Sequence, residues 1–153
     1  MPSVEQLLKL GEVESEPLAS ARSGKVLITQ GNQLIGTYAD LCKFRSTDSA
    51  YAGWQAHHVF ETQDLERMHV DHVAPGRDDQ LCVLLPERAH IGRINSVLRR
   101  YAPLGMILTP RSLLDAYREA YDLVGDYCGG GELMIKRELV GIVKGTLRAY
   151  RLM

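Results

Sequence analysis

The sequence predicts an α+β domain, with two or three short strands in the first two-thirds and three helices behind them. Three observations carry this. Lys25-Val26-Leu27-Ile28-Thr29 and Leu81-Cys82-Val83-Leu84-Leu85 are short apolar runs bounded by turn residues, as buried strands are. From residue 86 onward the apolar residues recur at helical spacing instead. The 153 residues, 45% apolar and 24% charged, are the length and composition of one soluble globular domain. A chain of that size buries roughly two-thirds of its unfolded surface and needs neither disulfide nor metal merely to fold.

Residues 1–25 read as a leader or linker. Ser3 to Leu10 forms at most a short helix, Gly11 to Pro17 is acidic and broken by proline, and Ala19 to Gly24 is small and polar. The domain then runs over 26–153. Lys25–Thr29 is its first strand. Over Gln33–Phe44, the spacing of Leu34, Ile35, Tyr38, Leu41 and Cys42 fits a helix face. The centre, 51–90, holds all five histidines: Gly53–Phe60 reads as extended, Ala74–Asp79 as a tight loop, and Leu81–Leu85 as a strand stopped by Pro86. Pro86 is a good first helical residue, followed by the stripe Ile91, Ile94, Val97, Leu98, Tyr101. Thr109-Pro110 caps a second helix bearing Leu113, Leu114, Tyr117, Tyr121 and Val124 on one side. Gly129-Gly130-Gly131 ends it, and a third helix spans about 132–150.

Several function classes drop out. No apolar run approaches the roughly 20 residues of a membrane span, and the N-terminus lacks the basic start and apolar stretch of a signal peptide. Cys42, Cys82 and Cys128 are odd in number and widely spaced, which makes neither a disulfide framework nor a zinc ribbon. The phosphate-cradling GxGxxG and GxxxxGK[ST] patterns are absent, and no Ser/His/Asp or Cys/His triad stands out. Eighteen Lys+Arg against nineteen Asp+Glu leave a net charge of −1, so any nucleic-acid surface must be local.

His57-His58 is the leading chemical feature. The pair can be a polar strand end, or one imidazole can hold a divalent metal while the other takes a proton from water. Neighbours on a regular strand point to opposite faces, so shared duty requires an irregular strand there. On a helix starting at Pro86, His90 lies within roughly 40° of Ile94, Val97 and Tyr101 and so faces inward, as a core residue or a metal ligand. Arg93 flanks that face, as a solvated arginine or as one that reaches a phosphate. Asn95, roughly 140° from His90, is a poor second ligand. Asp71-His72 offers a competing pair but leaves little chain before the strand over 81–85. His69, Asp71 and His72 are therefore taken as loop residues.

The runs Trp54-Gln55-Ala56-His57-His58-Val59-Phe60 and Leu81-Cys82-Val83-Leu84-Leu85-Pro86-Glu87-Arg88-Ala89-His90 resemble the HNH/endonuclease VII superfamily, nucleases of the ββα-metal (His-Me finger) type. More narrowly they resemble the AHH toxin domains of bacterial polymorphic, Rhs-like effectors. The resemblance covers about residues 50–100. It implies a ββα-metal hairpin-helix core with additional C-terminal helices, His58 as general base, and His57 and His90 as metal ligands. It also implies a metal-dependent endonuclease, with DNA preferred to RNA. Such a toxin is a secreted effector without a signal peptide that acts in the target cell's cytoplasm and is neutralised by a cognate immunity protein. The family's asparagine opening the second strand is replaced here by Gln80-Leu81, and a second helical histidine by Arg93 and Ile94. So few protein ligands suit Mg²⁺ best, with Zn²⁺, Mn²⁺ or Ni²⁺ as alternatives.

The basic surface is sought at the C-terminus. On a helix over 132–151, Arg137, Lys144, Arg148 and Arg151 fall within about 60° of one another, and residues 132–153 hold five Lys/Arg against two Glu. This stripe is a solvated face or a track for phosphates. The acidic residues of 12–16 and 61–79 suit a basic immunity protein. Two alternatives stay open: a catalytically degraded member of the fold acting as an interaction domain, and a metal-independent RNase using His57 or His58 as acid and base.

Overall fold

The computed structural model describes residues 6, 19–21, 26–28, 33–86, 94–103, 105, 108–122 and 132–153. The described strands are β1 (Ala19–Ala21), β2 (Val26–Ile28), β3 (Leu34–Thr37), β4 (Trp54–His58) and β5 (Leu81–Pro86). They form one antiparallel sheet ordered β1-β2-β3-β5-β4, which leaves β4 on an edge. The described helices are α1 (Tyr38–Thr47), α2 (Thr62–Arg67), α3 (Asn95–Tyr101), α4 (Pro110–Asp122) and α5 (Glu132–Ala149). The α+β class stands.

The sheet separates two apolar layers. On one face Ile35, Val59, Val83 and Leu85 pack with Ile94, Leu98, Leu113, Leu114, Tyr117, Tyr121, Leu139 and Val143, so the C-terminal helices cover that face. On the other, Val26, Leu34, Ala56, Cys82 and Leu84 meet Leu41 and Phe44 of α1, with Tyr51 and Trp54 packed alongside. Leu34 and Ile35 thus point to opposite faces. This is why the helix expected over 33–44 divides into a strand and a helix. The division falls at Thr37, whose hydroxyl accepts from the Asp40 N–H at 3.2 Å and caps α1.

Other expectations shift for similar reasons. The sheet begins at Ala19–Ala21, inside the segment assigned to a leader, because β1 pairs with β2. Pro86, expected as a first helical residue, is the last residue of β5 and stands opposite Trp54, and residues 87–93 lie outside the described residues. Tyr101, expected on the apolar stripe, is half exposed, at 52%. Val124 and Gly129–Gly131 lie outside the described residues, whereas α4 and α5 fall close to their expected ranges.

A helix the periodicity missed, α2, is held by polar contacts. Asp64, fully buried, accepts from Tyr117 Oη at 2.7 Å, Arg99 Nη2 at 3.0 Å and Arg67 Nη1 at 3.3 Å. Arg67 and Arg99 also donate to the Ala102 carbonyl, at 3.0 and 3.1 Å, and Arg99 to Glu61 at 3.1 Å. This network joins α2, α3 and α4. Burial pushes the Tyr117 hydroxyl well above its ordinary pKa, and the neighbouring Asp64 charge pushes the same way. Burial acts to lower the Arg99 pKa, but hydrogen bonding to Asp64 and the charges of Asp64 and Glu61 outweigh it and raise it. Neither Asp64 nor Arg99 is therefore surface charge for a partner.

Candidate active site

A cleft of about 560 Å³ runs along β4, lined among others by Tyr38, Arg45, His57, His58, Arg77 and Asn95. β4 pairs with β5 residue for residue from Trp54↔Pro86 to His58↔Cys82. The strand irregularity that would turn both histidines to one side is therefore absent. They take opposite faces and reach the same cleft only because β4 is an edge.

His57 faces the larger core and is 2% exposed. Its Nε2 lies 3.0 Å from Tyr121 Oη, and the Tyr121 hydroxyl donates its single proton to the Val59 carbonyl. Tyr121 can then only accept from His57, so the His57 proton is on Nε2. Burial, with the charges of Glu61 and Asp64, pushes the Tyr121 hydroxyl well above its ordinary pKa and keeps that proton in place. His57 ties β4 to α4.

His58 is half-buried on the other face. Its ring stacks on Tyr38, with centroids 5.2 Å apart and planes 11° apart. Its Nε2 lies 3.0 Å from the Arg77 carbonyl. A carbonyl only accepts, so Nε2 carries the proton and Nδ1 is left as the basic nitrogen. The Arg77 guanidinium sits over the Tyr38 ring at 4.9 Å. Tyr38, His58 and Arg77 thus form a closed set that fixes ring orientation and tautomer.

Asn95, a poor ligand on the helical wheel, nevertheless lines the cleft. Its Oδ1 is buried without a hydrogen-bond partner among the described residues. An orphaned carbonyl oxygen of this kind is a ready ligand for a hard cation. Among the described residues no three His, Cys, Asp or Glu side chains converge as a metal cage.

The remaining expected residues are dispersed. His90 and Arg93 lie outside the described residues. Arg137, Lys144 and Arg148 are on α5 and do not line the cleft. Arg151 lies past the end of α5 with φ of 57°, so it does not continue the helical stripe. His69, Asp71 and His72 are exposed, in keeping with loop positions. Gln80 ties the start of β5 to the preceding loop and to α2: its Nε2 donates to the Pro75 carbonyl at 2.9 Å and its Oε1 accepts from Thr62 Oγ1 at 3.1 Å. Sequence reasoning missed Tyr38, Arg45, Arg77 and Asn95. Only their convergence in space marks them.

A scan against family models finds no match, and neither the curated proteins nor the solved structures contain one.

Proposed function

We propose that the chain is a metal-dependent endonuclease toxin of the ββα-metal type, hydrolysing phosphodiester bonds at the β4 cleft with His58 as general base. The observation that carries this reading is the His58 tautomer: Nε2–H is held by the Arg77 carbonyl, so Nδ1 is the atom that takes a proton from attacking water. The order β4, antiparallel β5, then α3 supports it, since this is the hairpin-helix succession such a site requires. Asn95 Oδ1 would hold the divalent ion, with His57 and His90 the imidazoles that the family resemblance adds. When bound, the ion supplies charge stabilisation at the phosphate and leaving oxygen. His57, whose Nε2 is bonded to Tyr121, serves first as scaffold. That position disfavours a metal-free pair of histidines acting together. DNA is the preferred substrate, delivery into rival cells the setting, and an immunity protein the partner.

The test is plasmid cleavage by the purified protein with Mg²⁺, with EDTA, and as His58→Ala. Nicking lost with EDTA and reduced roughly 10²–10⁴-fold in the variant is expected. Absence of DNA and RNA cleavage with every divalent ion would overturn the reading, and cleavage surviving EDTA would replace it with a metal-free nuclease.

A further inference from the structure

The hydrogen-bond phase of the sheet determines what its open edge presents. Tyr38 N–H donates to the Gln80 carbonyl and Val59 N–H to the Leu81 carbonyl, each at 3.1 Å. Successive residues of a strand turn their backbone groups to opposite sides. In β5, Leu81, Val83 and Leu85 therefore bond to β4, and Cys82 and Leu84 to β3. The register His57↔Val83 then directs Gln55, His57 and Val59 toward β5, and Trp54, Ala56 and His58 away from it. Two facts agree. Pro86, which has no N–H, stands opposite Trp54, and the outward Trp54 carbonyl accepts from Arg45 Nη1 at 2.6 Å. Among the described residues no strand lies beyond β4.

The Ala56 and His58 N–H groups therefore point outward beside a cleft that Arg45 and Arg77 also line. Among the described residues neither arginine forms an ion pair, in contrast with Arg67 and Arg99. The carboxylate in the cleft, Glu61, is bonded to Arg99 and Gln63. Two amide donors and two guanidinium groups around a space of about 560 Å³ suit an anion with several acceptor oxygens. We propose that the outer edge of β4 is a phosphodiester cradle, in which the Ala56 and His58 N–H groups and the Arg45 and Arg77 guanidinium groups hold the backbone phosphate of a nucleic-acid strand. This rests on the nuclease reading for the strand to which the phosphate belongs. A peptide strand added to the same edge is disfavoured, because Arg45 already occupies the Trp54 carbonyl and leaves two residues to pair.

The experiment is an NMR titration of backbone amides with the thymidine dinucleotide TpT, in EDTA. Its uncharged methylphosphonate analogue, inorganic phosphate and an acidic hexapeptide are the comparison probes. The Ala56 and His58 amides are expected to shift most with TpT and not with the analogue. Arg77→Ala, which keeps the carbonyl that holds His58, is expected to weaken TpT roughly tenfold, with Arg77→Lys recovering part of it. An unchanged melting temperature for each variant separates lost contact from lost fold. Largest shifts on α5, equal binding of the analogue, or full affinity in Arg77→Ala would overturn the cradle. Inorganic phosphate binding as tightly as TpT would overturn its assignment to a nucleic-acid strand, and tighter binding of the hexapeptide would make the edge a protein-docking site. TpT bound at these amides by a protein that cleaves nothing with Mg²⁺ supports the cradle and overturns the nuclease reading. Cleavage with these amides unshifted does the reverse.

Discussion

His57 and His58 are adjacent, chemically identical and on the same strand, yet the structure gives them different environments. His57 is sealed against α4, with its proton aimed at a hydroxyl that has no second proton to give back. His58 stacks on a surface tyrosine with its proton on a carbonyl, which leaves its second nitrogen basic. The pleat alone makes this difference. One residue of register would exchange the two environments, so the β4–β5 pairing determines which histidine is buried as well as the fold.

The strongest way to break this contrast is to remove what holds the buried side. Asp64→Ala leaves Arg67, Arg99 and Tyr117 without their common acceptor, and a loss of about 3–5 kcal/mol is expected by denaturant unfolding. A loss below 1 kcal/mol would mean that water replaces the carboxylate. His57→Ala removes a buried ring and its bond to Tyr121, with an expected cost of about 2–4 kcal/mol. His58→Ala is expected to cost under about 1 kcal/mol while reducing cleavage roughly 10²–10⁴-fold. Equal destabilisation by the two alanine variants would erase the distinction between scaffold and reactive histidine.

The buried side also answers to pH. Tyr117 and Tyr121 have pKa values raised above the ordinary tyrosine value. Above about pH 10 the unfolded chain loses protons that the folded protein retains, so stability falls as pH rises from there. Each tyrosine contributes a slope on the order of 1 kcal/mol per pH unit. Tyr117→Phe should flatten that slope in alkaline melting curves. An unchanged slope would show that this hydroxyl titrates normally.

The smallest effect distinguishes the cysteines. Burial, then the neighbouring Cys42, push the Cys82 thiol well up, with Arg77 opposing only in part, while Cys42 lines the cleft. Alkylation at neutral pH, followed by peptide mapping, should mark Cys42 long before Cys82. Similar rates would mean that β5 opens readily.

Much of the fold was legible because it follows from local periodicity. The strand over 81–85 follows from an apolar run stopped by a proline, and the helix after Thr109-Pro110 from an apolar repeat behind a capping residue. The segment 33–44 misled because its apolar spacing satisfies a helix while alternate residues serve two faces of a sheet. α2 was illegible because a buried carboxylate supports it, and Asp64 reads as surface charge until Arg67, Arg99 and Tyr117 are brought to it.

The sequence by itself determined the α+β class and the locations of the β4 and β5 strands, since both depend on short-range pattern. Only tertiary structure decided which histidine is buried, that Asn95 faces the cleft, and that Arg45, forty-odd residues before Asn95, shares that space with Arg77. The reason is physical. A side chain's protonation, partner and reach depend on what packs against it, and pairing β4 with β5 brings together residues whose separation along the chain carries no such information.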